Sequence, residues 1–135
     1  MSEEIKKLNS MRFLENQGVA YEVFNYAPDI VDGVHAAEAM GLPPDQVYKT
    51  LVVQLDKGEH ALVMLAADRT LDLKQFARAI GLKKATMTTK RGAEAVTGLK
   101  TGGIGALALT MKRWEVYLDE AARQHEAILV NAGQR

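Results

Sequence analysis

"QVYKTLVVQL", residues 46–55, decides the fold. Side chains alternate across a β-strand, so Val47, Lys49, Leu51, Val53 and Leu55 share one face. Tyr48, Thr50, Val52 and Gln54 share the other. The turn residues "DKGE" (56–59) follow, and "HALVMLAA" (60–67) returns as a second strand. Together they predict a β-hairpin. The anomaly is Lys49, a strongly hydrated ammonium on the more apolar face. Burying it unpaired would cost several kcal/mol or remove its proton. Either its stem packs while its head reaches water, or that face opens onto a cleft where the ammonium meets an anionic or carbonyl-bearing ligand.

Outward from the hairpin, residues 3–17 predict a helix with Ser2 as its cap, Glu3 and Glu4 in its first turn and Gly18 behind it. "VAYEVFNY" (19–26) predicts a strand, and residues 34–40 a short helix ending at Gly41. Residues 70–81 predict a helix with Thr70 in front, and Asp68 and Asp72 at its start suit capping. A short strand over 83–88 and a helix over 89–96 follow. "TGLKTGGIGALAL" (97–109) reads as a glycine-rich loop running into a strand-like apolar segment. Residues 114–119 and 126–131 predict strands around a helical turn. The reading is one α+β domain over residues 1–135, with a mixed, mostly antiparallel sheet.

The chain has 135 residues, 47% hydrophobic and 25% charged, enough for one domain with a real core. It has no cysteine, which excludes disulfides, thiolate metal sites and a cysteine nucleophile. No apolar run is long enough to span a membrane, and the charged start "MSEEIKKLNS" does not read as a secretory signal. The expectation is a cytoplasmic protein. Its formal net charge is zero, yet residues 73–113 hold nine bases and one acid, Glu94. That asymmetry suits a polyanion-binding face.

Other chemistries are poorly supported. Gly103, Gly105 and Ala108 match a dinucleotide-binding spacing, but the strand before and helix after that it requires are missing. His35, His60 and His125 show no metal-ligand spacing, so no metal and no cofactor are expected. Ser2 and Ser10 are the only serines, which argues against a serine triad. The glycines of 102–105 could instead bring backbone N–H groups close to a ligand oxygen.

"GLPPDQVYKTLVV", "ADRTLDLKQFARAIGLKKATM" and "TGLKTGGI", in this order, resemble the YbaK/EbsC family of free-standing relatives of the editing domain of bacterial prolyl-tRNA synthetase. "MGLPPDQVYKTL" is most similar to its Cys-tRNA deacylase branch. The resemblance implies a curved sheet flanked by helices. It also implies hydrolysis of the ester that joins a wrong amino acid to tRNA, as in Cys-tRNA(Pro). The family's functional lysine falls at Lys49, followed by Thr50. Its glycine-pair loop falls at Gly102, Gly103 and Ile104. Tyr26 and Asn131 fall at pocket positions of the Cys branch. The family usually follows its glycine pair with x-S-P-x-G, where this chain has "GGIGALA". Relatives also continue beyond "NAGQR" with a further strand that carries a polar pocket residue.

On this reading water attacks the ester. Lys49 positions the substrate, and backbone N–H groups near Gly102 and Gly103 hold the oxyanion. The substrate's own thiol or ribose hydroxyl supplies the base. Lys83, Lys84, Lys90, Arg91 and Lys100 would contact tRNA phosphates, and a prolyl-tRNA synthetase is a further partner. The alternative is a module that binds tRNA or a synthetase without hydrolysis. An open edge near Ile128 to Val130 predicts a homodimer.

Overall fold

β1 (Val47–Leu55) and β2 (His60–Ala66) form the expected antiparallel hairpin, with Tyr48 opposite Ala66 and Gln54 opposite His60. Its tight turn places Gly58 at φ 87°, a conformation that favours glycine. The structure is a computed structural model, and it describes residues 7–27, 29–30 and 32–133. β3 (Ala85–Met87) runs antiparallel to the C-terminal half of β1, from Val53 to Leu55. β4 (Glu115–Leu118) lies parallel to β2. β5 (Leu129–Val130) lies parallel to the start of β1, beside Val47 and Tyr48. The order is β3-β1-β2-β4, with β5 also against β1, so the sheet is mixed and mostly antiparallel.

Both faces of this sheet are covered, which explains why β2 is buried from Ala61 to Ala66 without alternation. On one face Tyr48, Val52, Leu62, Met64 and Ala66 pack with Ala93, Ala106 and Leu109. On the other, Val53, Ala61 and Val63 pack against Leu71, Leu73, Phe76 and Tyr117. Burying each large aliphatic side chain contributes about 1.5–3 kcal/mol. Among the described residues there are four helices: α1 (Asn9–Asn16) packs on the turn at Ala106–Ala108, α2 (Gly33–Met40) on β1, α3 (Leu73–Ala79) on β3, and α4 (Lys90–Thr97) brings Ala93 to the Tyr48 cluster. The Asp32 carboxylate caps α2 and Thr89 caps α4, while Gly41 and Gly98 end them in left-handed conformations.

Several sequence expectations need correction. The first helix begins at Asn9, and Lys7 and Leu8 precede it outside the helix. Ser2, Glu3 and Glu4 lie outside the described residues. Segment 19–26 forms no strand, and it leaves Val19, Val23 and Phe24 exposed. The residues have β propensity, but no strand among the described residues lies beside them to complete a ladder. Asp72, not Thr70, caps α3, because its carboxylate accepts the Gln75 N–H. The apolar segment after the glycines folds as two 3₁₀ turns, Ala106–Ala108 and Thr110–Lys112, not as a strand. No helix of the described residues is long and apolar enough to cross a membrane.

Candidate active site

β3 and β5 line the same side of β1 but do not meet, and the gap between them falls opposite Thr50. The odd residues of β1 exchange bonds with β2: Ala67 N–H donates to Val47 O and Leu55 N–H to Glu59 O. Even residues therefore direct their peptide groups away from β2. At the start of β1 the Leu129 N–H donates to Gln46 O, and further on the Thr88 N–H and hydroxyl donate to Val52 O. Between them the peptide of Thr50 faces the gap without a ladder partner among the described residues. The Thr50 hydroxyl and the Tyr48 hydroxyl, on one face of the strand, are also buried without a partner. Burial pushes the Tyr48 phenol upward. Buried hydroxyls without a partner call for a ligand or water.

The glycine loop lies on that same face, where Ile104 packs against the Tyr48 and Met64 cluster. Gly102 has φ 90°, and its carbonyl accepts Asn131 Nδ2 at 2.6 Å. Asn131 Oδ1 accepts the Gly133 N–H at 2.7 Å, so both amide atoms serve as a clamp between loop and C-terminal segment. Ser10 Oγ of α1 donates to Ala132 O at 2.6 Å and fixes that segment from its other side. A Cβ on Gly105 would lie 2.3 Å from Asn131 O, so the approach requires glycine there. The Gly103 N–H is already committed to Lys100 O at 2.8 Å. The N–H groups of Gly102 and Ile104 have no partner among the described residues.

Lys49 occupies the opposite face. Its Nζ donates to Ala67 O at 3.2 Å and to Arg69 O at 2.5 Å, just past the end of β2. An ammonium has three donors, so one stays open. The lysine and the glycine loop thus flank the same strand from its two sides rather than facing each other. Gly33 of α2 packs onto Ala67, where an added Cβ would meet Ala67 Cβ at 2.7 Å. Beside it a cavity of about 400 Å³ is lined by Asp29, Asp32, His35 and Glu38 and touches neither Lys49 nor the glycines. In it Asp32 accepts both the His35 N–H and its ring Nδ1–H. The side-chain bond and the carboxylate charge raise the His35 pKa, while the same two hydrogen bonds lower that of Asp32. Among the described residues no three His, Asp or Glu are arranged to hold a metal ion.

Residues 27–135 match a family model, the aminoacyl-tRNA editing domain. The chain belongs to this family. A candidate Cys-tRNA(Pro)/Cys-tRNA(Cys) deacylase, EbsC of Enterococcus faecalis, is 34% identical over 132 residues, covering 96% of this chain and 80% of that one. A proline–tRNA ligase of a Sulfurihydrogenibium species is 26% identical over 110 residues, or 82% of this chain and 19% of the ligase. The crystal structure of a candidate trans-editing enzyme for prolyl-tRNA synthetase superposes with a TM-score of 0.77 at 23% identity, over 96% of this chain and 83% of that one. That likeness speaks for the fold.

Within this editing-domain fold the remaining candidates spread out. Tyr26 is half-buried in the unpaired 19–27 segment and makes no hydrogen bond among the described residues. Lys83 and Lys84 precede β3, Lys90 and Arg91 open α4, and Lys100 lies in the loop beyond, all with exposed side chains. The main-chain N–H groups of Lys83 and Lys84 bind the Asp56 carboxylate at 3.0 and 2.6 Å, tying that turn to the hairpin tip. Sequence reasoning missed Tyr48, although its alternation with Thr50 was visible. The break in the ladder left no sequence signal, because it depends on where two distant strands stop.

Proposed function

We propose that this chain hydrolyses the aminoacyl ester of mischarged tRNA as a free-standing editing enzyme, with Cys-tRNA(Pro) as the leading substrate. The match of residues 27–135 to the editing domain carries this reading, and the similarity to EbsC supports the substrate. The ester carbonyl enters the gap beside Thr50. Water attacks the carbonyl carbon, and the negative charge that develops on its oxygen meets the free N–H groups of Gly102 and Ile104. The bond to the ribose oxygen then breaks, and that oxygen takes up a proton as the amino acid leaves as a carboxylate. The substrate's thiol or neighbouring ribose hydroxyl relays the proton, since no side chain at the gap is a strong base. Thr50 and Tyr48 supply hydroxyls to the bound group. Lys49 fixes the β2 exit and offers its open donor, and Asn131 holds the glycine loop in place. We assign the tRNA phosphates to the bases flanking β3. Lys90 and Arg91 stand at a helix N-terminus, where cations are disfavoured, so their presence there suits an anionic partner. The cytoplasm and a prolyl-tRNA synthetase nearby follow from this activity.

Deacylation assays over a panel of mischarged tRNAs test the proposal. Cys-tRNA(Pro) should be hydrolysed faster than correctly charged Pro-tRNA(Pro), and Thr50→Val should slow turnover with its melting temperature retained. No hydrolysis of any aminoacyl-tRNA, with tRNA still bound, would replace the enzyme with a binding module.

A further inference from the structure

β4 runs parallel to β2 with Glu115 beside Ala61, so Trp114 stands next to His60 where β2 begins. The two rings lie 5.4 Å apart between centroids, tilted by 35°. Lys112 Nζ lies 5.7 Å from the centroid of the Trp114 ring. Trp114 is half-buried against the Tyr48 cluster, whereas Met111, Lys112 and Arg113 before it are exposed. Arg113 is the one non-glycine residue with positive φ, 56°, among the described residues. An arginine is unfavourable in the left-handed region, so folding alone does not account for it. Bases line this whole end of the sheet. The hairpin tip carries Lys57, and Lys83 and Lys84 stand beside it before β3. With Lys112 and Arg113 they make five exposed bases that form no ion pair among the described residues. Of the acids here, Asp56 accepts the N–H groups of Lys83 and Lys84, Glu59 accepts that of Lys57, and Glu115 is exposed.

We propose that Trp114 and His60 form a stacking platform for an unpaired base of RNA, and that Lys112 and Arg113 hold the phosphates next to it. The identity of the RNA rests on the editing reading: it is the tRNA whose ester enters beside Thr50. An aromatic face accepts any base, and nearby cations accept the phosphates. The ammonium over Trp114 marks an electron-rich face reached through an exposed side chain. A base that stacks there displaces the ammonium, which then pairs with a phosphate of the same strand. The platform also lies on the right face. Cross-strand partners share a face. Thr50 is opposite Met64 and Gln54 is opposite His60, so His60 is on the Thr50 face, where Trp114 also packs. Four residues of strand separate the platform from the gap, about 13 Å. About four stacked nucleotides, at about 3.4 Å apiece, span it.

Trp114 is the chain's one tryptophan, so its fluorescence reports this site without any mutation. Uncharged tRNA(Pro) is titrated into the full chain, with binding followed separately through the anisotropy of labelled tRNA. The emission should be quenched along the same binding curve. Trp114→Phe should keep most of the affinity, and Trp114→Leu should lose roughly tenfold. Lys112→Ala should flatten the slope of log K against log salt by about 0.7. Arg113→Gly should bind tRNA more weakly yet melt higher, because glycine adopts the left-handed conformation freely. These two surface variants test the site even if Trp114→Leu disturbs the core. Unchanged emission at saturating tRNA, or full affinity in both Lys112→Ala and Arg113→Gly, would overturn the proposal. Deacylation without quenching would remove the platform and leave the editing reading standing, and quenching without deacylation would do the reverse.

Discussion

Lys49 looked misplaced among Val47, Leu51 and Val53, and its partners dissolve the puzzle: two main-chain carbonyls at the end of β2 receive its ammonium. A lysine tied this way has a structural duty besides any catalytic one. Lys49→Ala should lower stability by about 1–2 kcal/mol, because two carbonyls lose their donor, and should slow deacylation through the loosened end of β2. Lys49→Arg should fail to rescue, since a planar fork cannot reproduce the compact ammonium. Turnover and thermal unfolding of the same samples check both parts, and near-normal turnover in the alanine variant would remove Lys49 from the chemistry. His35 offers a second residue-scale test. Its pKa is raised in the folded state by Asp32, so this pairing stabilises the fold below the ordinary imidazole value and is lost as pH rises through the raised one. Asp32, with its pKa lowered, contributes above the ordinary carboxylate value and loses that contribution as pH falls through the lowered one. The pair is thus strongest between the two. An NMR titration should show His35 titrating high, and Asp32→Asn should return it towards the ordinary value.

At the scale of elements, the hairpin, α2, α3, α4 and the short strand β3 were legible because local signals agree. Each has a turn or cap where its apolar pattern stops. The 19–26 segment misled for the opposite reason, since alternation and β propensity specify a strand only where a partner strand exists. The glycine loop was legible as a loop, but its rigidity was not. That comes from Asn131, Ala132 and Gly133 arriving from the far end of the chain. Gly105 is the point of tightest approach, so Gly105→Ser, which restores the family's usual residue, should clash with the Asn131 carbonyl. Overpacking of this kind costs about 1–3 kcal/mol. Chemical denaturation should register that loss, and a stable variant would mean that the C-terminal segment yields easily.

For the whole molecule, the uneven distribution of charge matters more than its neutral sum. Bases before and after β3 are exposed, and the acids gather elsewhere in the sequence. Binding of tRNA should weaken steeply with salt, with log K falling by about 0.9 per duplex phosphate contact or about 0.7 per single-strand contact. Removing Lys83 and Lys84 together should flatten that slope, whereas an unchanged slope would place the nucleic-acid face elsewhere. The fold class and the presence of the glycine loop could be read from sequence. The placement of Lys49 and that loop on opposite sides of β1 could not, because it follows from both faces of the sheet being covered.

The missing ladder bond at Thr50 should be visible in time as well as in space. β1 is the central strand, and its amides at Leu51, Val53 and Leu55 are held by β2. In hydrogen–deuterium exchange these should persist among the slowest in the protein. The Thr50 amide, midway along the same strand, should exchange far sooner. A substrate analogue that occupies the gap should slow that one amide selectively, giving a label for binding at single-residue resolution without any mutation.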